Sequence, residues 1–357
     1  VRQPGLLGMD QDEADRLVTF PGSGVVTIKP TTKKALTIPI AAPDQEPERA
    51  IASNLSTATT FDISQIRFQK VFHLNPKNLE EYDDLTFPRL KKRWKNYQQQ
   101  GEIFGISASF SESIIGLAIA EVMPDNIANL ISLFVQTPYR NKGIGTRLLT
   151  YSMKESRQQE CEAIQLNYHA TESTLALERI LEKLRCQKPK TQFFLGRATI
   201  ANFVENPSKG RVHLPPESQV FPWTGLTKAE GETIKSIGES GAYPSEVCPF
   251  GNDPRLESTT SLGIRYNESV VGWLVTHRVS EDTIRYTHWW TLEPYRSQGW
   301  SIALLAAALD RQIAANIPYA TFAVSAKEKP MVRFFQRRMM PYLDYTSESK
   351  TLLQPLK

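Results

Sequence analysis

Pro138-Tyr139-Arg140-Asn141-Lys142-Gly143-Ile144-Gly145 returns 156 residues later as Pro294-Tyr295-Arg296-Ser297-Gln298-Gly299-Trp300-Ser301. Each copy follows an apolar, strand-like run and opens a Leu-rich helix. In that setting a glycine turn presents backbone N–H groups and the positive end of a helix to an anion. The same offset pairs Glu112-Ser113-Ile114-Ile115-Gly116 with Glu268-Ser269-Val270-Val271-Gly272, and Leu148-Leu149 with Leu304-Leu305. A match that persists without gaps on both sides of the turn reads as one domain copied in tandem.

The bulk properties agree with two domains. A length of 357 residues with 40% hydrophobic content supplies two cores. The formal charge of +4 suits an anionic co-substrate. No stretch interleaves basic clusters with aromatics, so a nucleic-acid partner is not expected. Cys161, Cys186 and Cys248 lack paired or metal-type spacing. They argue for a reducing, cytoplasmic compartment with neither a disulfide framework nor a metal site. The longest apolar run, around Ile302 to Leu309, falls short of a bilayer span and belongs to the second helix, and no signal-peptide pattern is read at the start.

Residues 1–60, rich in Ala, Pro, Ser and Thr, read as a poorly ordered tail or linker. A first domain is expected over 61–205, a proline-rich linker over 206–220, and a second domain over 221–357. The first repeat reads as strand Ile66 to Leu74, helix Leu79 to Lys95, and strands Ile103 to Phe110, Ser113 to Val122 and Leu130 to Gln136. Then come helix Ile144 to Gln158, strand Ala163 to Tyr168, helix Leu175 to Leu184 and strand Gln192 to Gly196. The second repeat follows the same order: helix Lys228 to Ser240, strands Leu262 to Tyr266, Val270 to Val279 and Thr283 to Leu292, helix Ser301 to Ala315, strand Ala320 to Ser325 and helix Met331 to Arg338. Short turns such as Ser111-Glu112-Ser113 make hairpins, and the later strand-helix-strand step makes a parallel crossover. The fold class is therefore α/β with a mixed, mostly antiparallel sheet flanked by helices, built twice.

The glycine turn is not a dinucleotide fingerprint, which would open the domain after its first parallel strand. It is not a P-loop either, since the Gly-Lys-Ser/Thr ending is missing. The pattern Arg-x-x-Gly-x-Gly in Val135-Gln136-Thr137-Pro138-Tyr139-Arg140-Asn141-Lys142-Gly143-Ile144-Gly145, followed by Leu148-Leu149, resembles the GNAT superfamily of N-acyltransferases. It looks most like duplicated bacterial members, cyanobacterial ones among them, and the likeness spans about residues 62–200 and 221–350. The resemblance implies acyl-CoA as co-substrate, no metal, and a parallel strand pair splayed to admit the pantetheine arm. Carried over, it makes Arg140, Asn141, Lys142, Gly143, Ile144, Gly145 and Thr146 the cofactor-binding turn, with the pyrophosphate on the backbone of Lys142 to Thr146, Lys142 and Arg147 adding charge, and the arm along Leu133, Phe134 and Val135. The second copy keeps Arg296 and Gly299 but has Ser301 where the last glycine stands, and Trp300 is bulky. Arg296, Gly299 and Ser301 are the candidate cofactor contacts of this second turn, where Ser301 can serve as a helix N-cap.

Acyl transfer to an amine needs a group to take the amine's proton, and a second can serve the departing thiolate. Candidate bases are Glu121 and its equivalent His277, five residues beyond Gly116 and Gly272, then His288, and His169 beside Tyr168 where the splayed strand ends. Where the family commonly places a tyrosine, the chain has Leu181 and Phe335. The aromatic strand residues Trp273, Trp289 and Trp290 line either a groove or the core. The activity implied is transfer of an acetyl or fatty acyl group from acyl-CoA to an amine of a small molecule or peptide, including the lysine or ornithine side chain of a ribosomal peptide. The alternative is a non-catalytic acyl-CoA sensor or scaffold on the duplicated fold.

Overall fold

The computed structural model describes residues 62–74, 82, 84–86, 101–204, 214–251 and 254–356. The tail over 1–60, most of the helix expected between Leu79 and Lys95, and most of the linker lie outside them.

The repeat seen in the sequence carries through to the backbone. Strands β1 (Arg67–Leu74), β2 (Glu102–Phe110), β3 (Ser113–Val122) and β4 (Ile127–Val135) run antiparallel in order, and β5 (Ala163–Ala170) pairs parallel with β4. Helix α1 (Ile144–Gln158) links β4 to β5, and α2 (Leu175–Lys183) leads into β6 (Lys190–Thr199). The second half repeats this with β7 (Ser218–Pro222), α3 (Lys228–Glu239), β8 (Leu262–Tyr266), β9 (Ser269–Ser280) and β10 (Thr283–Thr291). It continues through α4 (Trp300–Ala314), β11 (Tyr319–Ser325), α5 (Lys329–Phe334) and β12 (Tyr345–Pro355).

Equivalent turns use the same backbone. The β2–β3 hairpin turns at Ser111 (φ 47) and Glu112 (φ 67), and the β8–β9 hairpin at Asn267 (φ 46) and Glu268 (φ 64). Two successive positive φ values are the geometry that matches the twist of hairpin strands. Helix α3 starts in a capping box, with Thr227 and Glu230 exchanging hydrogen bonds.

The twelve strands form one sheet in the order β1-β2-β3-β4-β5-β12-β6-β11-β10-β9-β8-β7. Its centre departs from the element list read in the sequence, which stopped at the helix ending near Arg338. β12 inserts between β5 and β6, antiparallel to both, and β6 in turn pairs with β11. Each repeat therefore lends its last strand to the other, across a pseudo-two-fold axis between β6 and β12. Ser218–Pro222, placed mostly in the linker by its prolines, forms edge strand β7, where Pro222 is tolerated.

Cores lie on both faces. Leu304, Ala308, Leu309, Ile284 and Phe322 pack α4 onto the second half of the sheet, and Trp223, Ile234, Tyr243 and Trp273 pack α3 against its other face. Trp273 is fully buried, its indole donating to the Val247 carbonyl at 2.9 Å. The last helix is interrupted: after Phe334 the chain makes a π-helical turn, Phe335–Met339. Its buried Phe335 sits beside Gly196 of β6, where a Cβ would lie 2.6 Å from Leu343 and 3.1 Å from Phe335.

Candidate acyl-carrier site

Strand β4 begins in parallel ladder with β5 at Ile127↔Ala163 and keeps it to Leu130↔Leu166. Beyond Leu130 the two strands separate, while β4 stays paired with β3 up to Val135. The break coincides with a bulge: Ile131 has no partner on β3, because Ile119 pairs with Ser132 and Ala120 with Leu130. A bulge bends its strand and frees a ladder N–H. The wedge this opens is bordered by half-buried Leu133, Phe134 and Val135 on one side and by β5 from Asn167 onward on the other. Ser132 faces the bulge, its hydroxyl buried and without a hydrogen-bond partner among the described residues.

At the mouth of the wedge the chain turns into α1. Asn141 (φ 60) and Gly143 (φ 81) are both left-handed, and Gly143 is the N-cap with no side chain capping the helix. The first helical N–H groups, with no earlier carbonyl to bond, are left pointing out of the turn with the dipole behind them. Gly145 is small for a different reason: a Cβ there would come within 3.0 Å of Ile180 on α2. Arg140 does not face outward from the turn. Its Nε donates to the Val135 carbonyl at 2.8 Å, strapping the turn to the end of β4, and Arg296 does the same to Thr291 at 2.9 Å. Both arginines thus fix turn geometry. Lys142 and Arg147 are exposed at the rim, Lys142 over the Tyr139 ring and Arg147 over Phe68.

The second repeat reproduces this scaffold and fills it. β10 and β11 part beyond Tyr286↔Phe322, Thr287 is the bulged residue, and Gly299 (φ 82) caps α4. Trp289, the counterpart of Leu133, lies edge-on to Phe334 at 5.5 Å and donates its indole N–H to the Ser301 carbonyl at 3.1 Å. Ser301 is not the N-cap expected for it. It sits one residue inside the helix, and its hydroxyl is 2.8 Å from that of Thr291. Trp300 is buried between Tyr266 and Tyr295.

Equivalent positions around the two wedges differ in kind. In the second they hold Trp289, Phe334, Val324 and Phe194. In the first they hold Leu133, Glu178, Tyr168 and Lys350. The Tyr168 hydroxyl donates to Glu178 Oε1 at 3.1 Å, and Lys350 Nζ bonds the same oxygen at 2.8 Å. The Lys350 hydrogen bond, with that of Tyr168, holds Glu178 below the usual carboxylate range. Burial, then the Glu178 charge, pushes Tyr168 far up. Lys350 has no counterpart among the sequence-derived candidates because it comes from β12, the exchanged strand.

The candidate bases lie in three places. Glu121, 2% exposed, lies opposite Asn129 on the face away from α1, and its Oε1 accepts the Gly101 N–H at 2.9 Å. His169 is on β5 opposite Ser349, on the face opposite to Tyr168. His277 and His288 come together in the second repeat, ring edge to ring face at 6.0 Å. His277 Nδ1 is 2.8 Å from the Thr287 hydroxyl, and His288 Nδ1 is 3.2 Å from the Glu246 carbonyl. Arg285, across from His277, is pushed down to about 10 by burial. Leu181 and Phe335 are both buried. Among the described residues no cluster of three metal-ligating side chains forms, and no helix is long and apolar enough to cross a membrane.

A model of the acetyltransferase (GNAT) family matches residues 68–184 and again 233–339. Among solved structures, a GCN5-related N-acetyltransferase from Sphaerobacter thermophilus shares 14% identity, covering 81% of this chain and 96% of that one, with a TM-score of 0.51. A tandem GNAT protein from the clavulanic acid biosynthesis pathway shares 9% identity over 82% of this chain and 99% of that one, with a TM-score of 0.49. At such identity the first of these likenesses shows the fold alone. No curated protein matches the chain.

Proposed function

The chain belongs to the acetyltransferase (GNAT) family, and from that premise we propose that its first repeat is the donor site of an acyl-CoA-dependent N-acyltransferase. The family carries acyl transfer from acyl-CoA to an amine in general. The assignment to the first repeat rests on one observation: of two equivalent wedges, the second is filled by Trp289 and Phe334, while the first keeps polar groups at its apex.

Acyl-CoA is a co-substrate here, and the residues present fit it. The uncapped N–H groups from Gly143 to Thr146 would hold its diphosphate, with Lys142 and Arg147 adding charge. Beyond Leu130, where β4 has left the β5 ladder, the strand edge that borders the wedge offers amide partners to a pantetheine chain. Ser132, buried and unpartnered, supplies one further polar contact at the apex. In this reading Glu121, on the opposite face, takes the amine's proton through water. His277 and His288 belong to the second repeat and serve its packing. The acceptor is an amine of a small molecule or peptide; the resemblance to peptide-lipidating members puts a lysine or ornithine side chain first in an acceptor panel.

Calorimetric titration of acetyl-, octanoyl- and palmitoyl-CoA into Gly143→Glu and Gly299→Glu variants tests the assignment. Binding lost only in the first supports it; binding lost only in the second reverses it. A second reading, binding without turnover, is favoured by Leu181 and Phe335 where the family's tyrosine is expected. Release of free CoA with any amine of the panel rules that reading out.

A further inference from the structure

The two wedges are an internal control. The fold closes around Trp289, Phe334, Val324 and Phe194 in the second repeat, so apolar packing satisfies the scaffold at these positions. In the first repeat the same positions carry a phenol, a carboxylate and an ammonium, taken from three elements that converge at one oxygen, Glu178 Oε1. Half-burying such groups costs part of the stability that apolar side chains would have supplied. The scaffold does not require them, which leaves the chemistry of the wedge to account for them.

Their place in the ladder says which step they serve. Tyr168 is the second residue beyond the last β4–β5 pair, one step past the level of the Ile131 bulge, and so stands at the apex where the strands part. A thioester entering between the strands, with its diphosphate at Gly143, brings its sulfur toward that apex. We propose that Tyr168 donates its hydroxyl hydrogen bond to the departing thiolate, with Glu178 and Lys350 as positioning residues, so that the second repeat's strand completes the first repeat's site. The proposal rests on the donor assignment given above.

The step balances without a further reagent. The amine nitrogen bonds to the acyl carbon, the C–S bond breaks with its electron pair on sulfur, and the amine's surplus proton leaves through Glu121 and water. The thiolate, held by the phenol, takes a proton from solvent on release. Burial and the neighbouring Glu178 and Glu348 carboxylates keep Tyr168 protonated, so it serves as a hydrogen-bond donor that does not surrender its proton. The phenol has one proton, so its hydrogen bond to Glu178 is given up as the hydroxyl turns to sulfur, and Lys350 Nζ keeps the Glu178 oxygen partnered when it does.

The test reads the sulfur directly. In the binary complex with free CoA, thiolate absorbance is followed against pH for wild type, Tyr168→Phe and Lys350→Met. The bound thiol should titrate about two pH units higher in Tyr168→Phe, the shift that matches a 100-fold effect, with CoA affinity at neutral pH changed less than threefold, and move part of that way in Lys350→Met. An unchanged thiol titration in Tyr168→Phe overturns the proposal. In turnover, Tyr168→Phe should lose about 100-fold with acetyl-CoA. It should lose less than tenfold with an aryl thioester, whose thiol leaves without help; an equal loss with both donors assigns Tyr168 a structural role and overturns the proposal. Should wild type fail to bind CoA at all, the donor assignment itself fails, an outcome separate from a thiol that binds and does not shift.

Discussion

At the scale of single residues, the two glycines of the turn have different physical jobs. Gly143 is there for its left-handed backbone, Gly145 for want of room under Ile180. Gly143→Ala should cost roughly 1–2 kcal/mol, the penalty of an L side chain in that region, read as a lower thermal midpoint. A second prediction concerns acid. The Arg265 hydrogen bond, with the Thr227 cap, lowers Glu230 to about 2 from its ordinary 4.5. A depressed carboxylate stabilises the fold above its unfolded value and loses that contribution as pH falls toward the folded one. Urea midpoints should therefore drop between about pH 4.5 and 2, and Glu230→Gln should flatten that limb. The turn's residues were legible in the sequence because glycine and its flanking strand and helix leave a local pattern. The role of Arg140 was not, since a guanidinium strapped to a carbonyl five residues back looks the same on paper as one facing a phosphate.

At the scale of elements, hairpins and helices followed from periodicity and turn chemistry. β3, α1 and β8 begin and end where the pattern places them, and the two-residue turns at Ser111 and Asn267 explain why. Two strands escaped. β7 hides in a proline-rich stretch, and β12, Tyr-Thr-Ser-Glu-Ser-Lys-Thr-Leu-Leu-Gln-Pro, has mixed polarity because its side chains face two different surroundings. With β12 unread, Lys350 could not enter any list of candidate residues. The plug in the second wedge was equally invisible, because Trp289 and Phe334 meet only in space. Trp289→Ala should remove about 3 kcal/mol of stability by leaving a cavity, and should leave CoA affinity unchanged, as denaturant unfolding and calorimetry would read.

At the scale of the molecule, duplication produced one sheet. A continuous ladder from β1 to β7, with the last strands traded across the middle, couples the halves more tightly than an interface between two closed domains. Unfolding should then be a single transition, with fluorescence and far-ultraviolet circular dichroism coinciding. Residues 62–213 expressed alone should fail to give that transition, because β5 and β6 lack the strand between them. The pseudo-two-fold axis relates the β4–β5 wedge to the β10–β11 wedge, and the aromatics that fill the second leave the first untouched.

The traded strands also set an order of events during synthesis. β5 and β6 leave the ribosome long before β12 and cannot pair with each other in the finished arrangement, so a gap one strand wide stays open in the nascent sheet. Unpaired edges of that kind recruit other chains. Lys350 arrives with the closing strand, so the proposed donor site would be completed last: a ribosome that stalls short of Tyr345 would yield a product without the Lys350–Glu178 pair, whatever helices it has already made.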